Sequence, residues 1–168
     1  MRVLGIDPGT VNMGYGVVES NNDNLAMIDC GALIASERSP IGERLCYLYR
    51  ELLCLIQNYQ PDMVAVEQPF VASNARSALA IGRAQAIALL AAATQGIPTH
   101  EYTPAQVKQS VANYGASSKA QVQEMVRLQL GLKEVPHPDD AADALAVAIC
   151  HLREAHLSEL LARQEEKR

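Results

Sequence analysis

The chain has no surplus of positive charge: fourteen Lys and Arg stand against nineteen Asp and Glu, for a formal charge of −5 at pH 7. That balance argues against attachment to a polyanion by bulk basicity. The four cysteines, Cys30, Cys46, Cys54 and Cys150, contain no CxxC pair and follow no secretory leader. A zinc ribbon and an extracellular disulfide frame are therefore not expected, and the thiols read as small buried apolar residues of a reducing cytoplasm. Long apolar runs are missing too. The longest, residues 84–94, is broken by Gln85 and falls short of the roughly 18 residues of a membrane span, so no membrane association is expected. Neither an internal repeat nor a linker is visible, and Phe70 is the one phenylalanine.

What is present is the balance of a globular domain. The 168 residues are 49% hydrophobic and 20% charged, enough to bury a core without staples. Strands are predicted at residues 2–7, 14–19 and 25–35, joined by tight turns as an antiparallel meander. Ser39 and Pro40 supply an N-cap and a first-turn proline. Ile41, Leu45, Leu48, Leu52 and Leu55 then recur at helical spacing to about residue 58. A strand at 63–67 completes a β–α–β unit with a crossover long enough for parallel pairing. The segment 74–95 reads as a helix whose second half is apolar all round, covered by its own domain or by a second subunit. A last strand at 97–102 precedes helices at 104–112, 118–130 and from 138 onward. The expected architecture is one α/β domain over residues 1–156, a mixed five-stranded sheet flanked by helices, with a charged extension at 157–168 that frays.

Three features carry chemistry. Asp7 closes the first strand and Glu67 the fourth, and a right-handed crossover places both at the carboxyl edge of the sheet, where open α/β sheets bind ligands. In PHPDDAADALAVA, Asp140 and Asp143 are three apart on one helical face. Acids in a first helical turn are explained by the helix dipole, which covers Asp139 and Asp140 taken alone. Asp143 lies among Ala141, Ala142, Ala144 and Leu145, where an unpaired carboxylate is costly. Asp7 alone is explained by an Asx-turn. Together the acids suit two hard cations, which take oxygen ligands, activate a water and stabilise a leaving oxygen of a phosphodiester. Setting these four acids aside leaves a net charge of −1, and acidity no longer opposes a nucleic-acid substrate.

The blocks LGIDPGTVNMGYGVV, VAVEQPFVASNARSALAIGRAQ, YTPAQVKQSVANYGASSKAQVQEMV and DDAADALAVAICH, in this order and register from about residue 2 to 151, resemble the RuvC family of Holliday-junction resolvases. The resemblance implies a ribonuclease H-like fold and a homodimer that nicks two strands of a four-way DNA junction symmetrically, in recombination and repair. It implies metal-dependent catalysis, with Mg²⁺, two per subunit, as the expected ion and Mn²⁺ as the alternative. It also implies partnership with the branch-migration proteins RuvA and RuvB. The family's four catalytic, metal-binding carboxylates fall on Asp7, Glu67, Asp140 and Asp143, Asp139 being an extra acid beside the family position. Lys108 and Lys119 match lysines near the scissile phosphate, and Phe70 an aromatic that enters the opened junction and stacks on a base. On their own residues, the two lysines read as solvated helix positions and Phe70 as a core anchor or a stacking residue alike. Arg76 and Arg83 on the long helix are candidate phosphate contacts. His137 reads as a loop residue or N-cap, and His100, His151 and His156 show no partner pattern. Well-known members are basic and this chain is not, so its DNA affinity is expected to be weak, unusually sensitive to salt or dependent on bound metal.

Three other readings share pieces of the pattern. IDPGT also resembles the phosphate-binding hairpin of actin-like and sugar-kinase-like ATPases, which need two such domains; ATP turnover discriminates that reading. Related nucleases acting on RNA or simple duplexes, and a non-catalytic junction binder, are the others. A pure binder has no use for clustered negative charge beside phosphates.

Overall fold

The computed structural model describes residues 1–21, 24–68 and 75–165. Strands β1 (Arg2–Asp7), β2 (Asn12–Asn21) and β3 (Asn24–Ile34) form the meander, followed by helix α1 (Ile41–Tyr59) and strand β4 (Met63–Glu67). Helix α2 (Ala75–Thr94), strand β5 (Thr99–Tyr102) and helices α3 (Pro104–Ala112), α4 (Lys119–Gln129) and α5 (Asp139–Glu165) complete the order. The sheet runs β3-β2-β1-β4-β5. β1 pairs antiparallel with β2 and parallel with β4, and β4 pairs parallel with β5. This is the mixed five-stranded sheet flanked by helices that the sequence pattern predicts.

Period-two alternation divides the core. Leu4, Ile6, Val64 and Val66 pack with Leu48, Leu52 and Ile56 of α1 and Ala84, Ala88, Ala91 and Ala92 of α2. Val3 and Ala65 face the other way, into Leu145, Val147 and Ile149 of α5 and the valines of α3 and α4. Asp7 and Glu67 share the parity of Val3 and Ala65, so the strands aim both carboxylates at the α5 side. Burying Leu145 and Ile149 fully contributes about 1.5–3 kcal/mol each.

The α5 layer lies unusually close to the sheet, and small residues permit it. A Cβ at Gly5 would collide with the Ala144 carbonyl and crowd Ala148, and one at Gly14 would collide with the backbone of Asp140. Glycine at these two strand positions is required by close approach rather than by backbone angle.

Three expectations change. Pro40, not Ser39, occupies the cap of α1, with no side-chain cap bond. Cys46 and Cys54 are exposed, Cys30 is half-buried and Cys150 is buried, all as free thiols; Cys46 and Cys54 fall off the face defined by Leu48, Leu52 and Ile56. Helix α2 is buried along one seam of alanines, while Leu79 and Leu90 are 57% and 51% exposed. By length and composition alone its stretch Ser77–Thr94 is apolar enough to span a bilayer, but that alanine seam packs into the domain core. Helix α5 runs as one helix through residues 157–165. Good helix formers and an i,i+4 Arg163–Glu159 pair at 3.9 Å support this stretch.

Candidate active site

Asp7 is the last residue of β1 and lies across from Gly14 of β2. Glu67 ends the adjacent parallel β4. Because the side chain at 14 is missing, the first turn of α5 descends onto that edge, and the Asp140 backbone sits directly over Gly14. One turn on, Asp143 reaches the same cleft. The cleft has a volume of about 260 Å³ and is lined by Asp7, Glu67, Lys108, Lys119 and Asp143, with Pro104, Val107, Val122 and Ala146 as its apolar walls. Larger hollows of 400 and 590 Å³ lie at the other end of the sheet, around Ser20, Leu152 and His156, and lack such a cluster of acids.

Caps set the two lysines. Thr103 and Ser118 each close a capping box, with Gln106 and Gln121 as reciprocal partners, fixing the starts of α3 and α4. Lys108 thus sits one turn into α3, and Lys119 is the first residue of α4. Lys119 Nζ lies 2.8 Å from Asp143 Oδ2 and 3.5 Å from Asp139 Oδ2.

The electrostatics follow from crowding acids in a water-poor edge. Burial, then repulsion from Asp143 and Asp140, raises the Asp7 carboxyl to about 7. Burial, then Asp7 and Asp143, raises Glu67 to about 8, with Lys108 opposing the rise. A hydrogen bond joins the two carboxyls, so the pair titrates as a unit. Burial also raises Asp143, against the lowering effect of Lys119. For Lys119, burial opposes the charge, but the bonds to Asp143 and Asp139 prevail and raise its pKa.

The arrangement brings together Asp7, Glu67, Asp143, Lys108 and Lys119, with Asp140 half-buried beside them and its charge felt at both Asp7 and Asp143. Asp139 is exposed, with its charge acting on Asp143 and Lys119. Phe70 lies outside the described residues, and Arg76 is placed in the first turn of α2 without a described side chain. Among the described residues, no three His, Cys, Asp or Glu side chains already converge as a ligand set; Lys119 pairs with Asp143, and Asp7 and Glu67 are hydrogen-bonded to each other. The donor chemistry nonetheless fits a hard divalent cation. The donors are carboxylate oxygens at a buried edge, and in the protein alone their charge is relieved by a proton and by lysine, which is the compensation a cation supplies.

A profile of the family described as Crossover junction endodeoxyribonuclease RuvC matches residues 3–151. The chain belongs to the RuvC family of crossover junction endodeoxyribonucleases. It is 57% identical over 151 residues to the RuvC of Dehalococcoides mccartyi, covering 90% of each chain. It is 56% identical to that of Chloroflexus aurantiacus, covering 90% of this chain and 92% of the relative. Among solved structures, Thermus thermophilus RuvC in complex with a Holliday junction substrate superposes with a TM-score of 0.88 at 36% identity, over 94% of this chain and 96% of that one. The yeast mitochondrial Holliday junction resolvase shares the fold, with a TM-score of 0.69 at 18% identity, over 99% of this chain and 86% of that one. The fold is ribonuclease H-like, as the RuvC resemblance implies, and RuvC nucleases are metal-dependent.

Sequence reasoning missed what seats the acids. Gly14 and Gly5 were signalled by glycines inside apolar strands. His151, read from the sequence as having no partner, is buried and bonded to Tyr102 at 2.8 Å; its signal was a position on the apolar face of AVAICH.

Proposed function

We propose that this chain resolves four-way DNA junctions, with Asp7, Glu67, Asp140 and Asp143 holding two Mg²⁺ ions per subunit and Mn²⁺ as an alternative. The observation that carries the reading is the meeting of strand-end and helix-start acids with two lysines in one cleft, in a chain of the RuvC family. When bound, the ions supply Lewis-acid stabilisation of the phosphodiester and lower the pKa of water. The protein's own part is positional. The sheet edge and the first turn of α5 fix the carboxylates, and Lys108 and Lys119 hold the scissile phosphate and meet its developing charge. Hydrolysis leaves 5′-phosphate and 3′-hydroxyl ends. Phe70 stacks on an unpaired base and Arg76 contacts the DNA backbone.

The working unit is a homodimer, since two strands are to be cut symmetrically. Leu79 and Leu90 on the outer side of α2 supply apolar surface for a two-fold contact. RuvA and RuvB are the branch-migration partners, and the free thiols fit action in a reducing cytoplasm. The test is a substrate panel in Mg²⁺: a mobile four-way junction, a linear duplex and an RNA–DNA hybrid. Paired nicking of the junction alone supports the reading, and preference for the hybrid or for a plain duplex overturns it.

A further inference from the structure

Helix α5 carries two of the four acids, and beneath those acids the seam on which it rests is built of small residues. Gly5 meets Ala144 and Ala148, and Gly14 meets the Asp140 backbone. That end of the seam permits close approach with no side chain to interlock there, the larger Leu145 and Ile149 packing farther along the helix. At 1.5 Å per residue, a slip of a single residue would move Asp140 and Asp143 by about that distance relative to Asp7 and Glu67. A misplacement of roughly 1 Å is enough to cost on the order of 10²-fold in rate.

Besides the Lys119–Asp143 pair, one buried polar contact resists that slip. The Tyr102 hydroxyl lies 2.8 Å from His151 Nδ1, with Tyr102 1% and His151 6% exposed. Tyr102 ends β5 as the register partner of Glu67, and its carbonyl accepts the Gln68 N–H at 2.8 Å. His151 lies two turns beyond Asp143 on α5. Tyr102 is thus tied through its backbone to the strand end that carries Glu67, and through its hydroxyl to the helix that carries Asp140 and Asp143. The His100 ring, 4.9 Å from Tyr102 and 5.7 Å from His151, flanks the pair. His151 Nε2 is buried without a hydrogen-bond partner, a cost that an apolar side chain would avoid. A directional bond specifies one setting of the helix, which apolar packing alone does not.

We propose that Tyr102 and His151 are positioning residues that set the axial placement of α5, and through it the approach of Asp140 and Asp143 to Asp7 and Glu67. This rests on the reading of those acids as the metal-binding set. The test is a Mg²⁺ titration at fixed pH, read both as the Mg²⁺-dependent rise in melting temperature and as junction cleavage. Tyr102→Phe, which loses the hydroxyl and little else, is expected to raise the Mg²⁺ midpoint about 10-fold or more in both readouts, the range seen when a group supporting a metal ligand is removed. His151→Leu is expected to match it, and His151→Asn, which keeps a polar atom near the Nδ1 position, to restore most of the midpoint. Should Tyr102→Phe fail to fold, the contrast between His151→Asn and His151→Leu decides. Variants that melt earlier but keep the parental Mg²⁺ midpoint would reduce the pair to packing and overturn the inference alone. A parental protein that neither responds to Mg²⁺ nor cuts junctions would overturn the metal-site reading and this inference with it.

Discussion

Lys119 is held by Asp143 at 2.8 Å, so an ammonium from the start of α4 sits against an acid on the first turns of α5. In the protein alone the lysine relieves the acid's charge, and beside a phosphodiester it is placed to meet charge that develops in the transition state. Lys119→Met is therefore expected to slow single-turnover junction cleavage by about 10²–10³-fold, the cost of losing one such donor. Half-exposed as it is, the lysine should leave the melting temperature nearly unchanged. A parental cleavage rate would remove it from the reaction.

The paired carboxyls make the metal-free protein sensitive to pH in a defined direction. Asp7 is raised from 3.8 to about 7 and Glu67 from 4.5 to about 8, in both cases first by burial. The folded state then binds protons that the unfolded chain releases. Their stabilisation is complete below about pH 4 and is lost as pH rises through 7 and 8. Melting in a chelator should fall between pH 5 and 8.5, the slope should shrink in Asp7→Asn/Glu67→Gln, and Mg²⁺ should restore stability most at the alkaline end. A slope unchanged by the double substitution would contradict this origin.

Gly14→Ala tests whether close approach seats the acids. Its Cβ would meet the Asp140 backbone, and overpacking of this kind costs about 1–3 kcal/mol, or roughly 2–12 °C in a domain of this size. Cleavage should fall further than the loss of folded protein explains, because the first turn of α5 is displaced. Normal cleavage and melting would mean that the helix start yields freely.

Phe70→Ala separates a core anchor from a stacking residue. As an anchor its truncation costs about 3–5 kcal/mol and many degrees of melting temperature. As a base-stacking group it leaves melting intact and weakens junction cleavage by the loss of roughly 1–3 kcal/mol of stacking. The second outcome is expected; early melting, or normal melting with parental cleavage, would contradict it.

The elements and the sheet edge were legible because they rest on local rules. Alternation placed Asp7 and Glu67 at strand ends, helical spacing placed α1, and the length of the connection allowed parallel pairing of β1 with β4. The partners of α5 were not legible. The contact of Gly14 with Asp140 joins residues more than a hundred positions apart, and neither periodicity nor propensity records such a pairing. The same holds for Tyr102 and His151, where a histidine on an apolar helix face gives no hint of which strand supplies its hydroxyl. The exposure of Cys46 and Cys54 was misread because their residue type favours burial while their phase on α1 does not. The choice of Asp140 over Asp139 came from the resemblance and the i,i+3 spacing, and the greater exposure of Asp139 is consistent with it.

The most direct measurement is strand-by-strand mapping of cuts in a mobile four-way junction at saturating Mg²⁺, for the parental chain and for Asp7→Asn, Glu67→Gln, Asp140→Asn, Asp143→Asn and Asp139→Asn. The account predicts symmetric nicks in two opposed strands by the parental chain and Asp139→Asn. The other four should bind the junction without cutting it, since each loses a metal ligand while relieving repulsion in the cluster. An uncut junction with the parental chain, or substantial cutting by Asp7→Asn or Asp143→Asn, would contradict it.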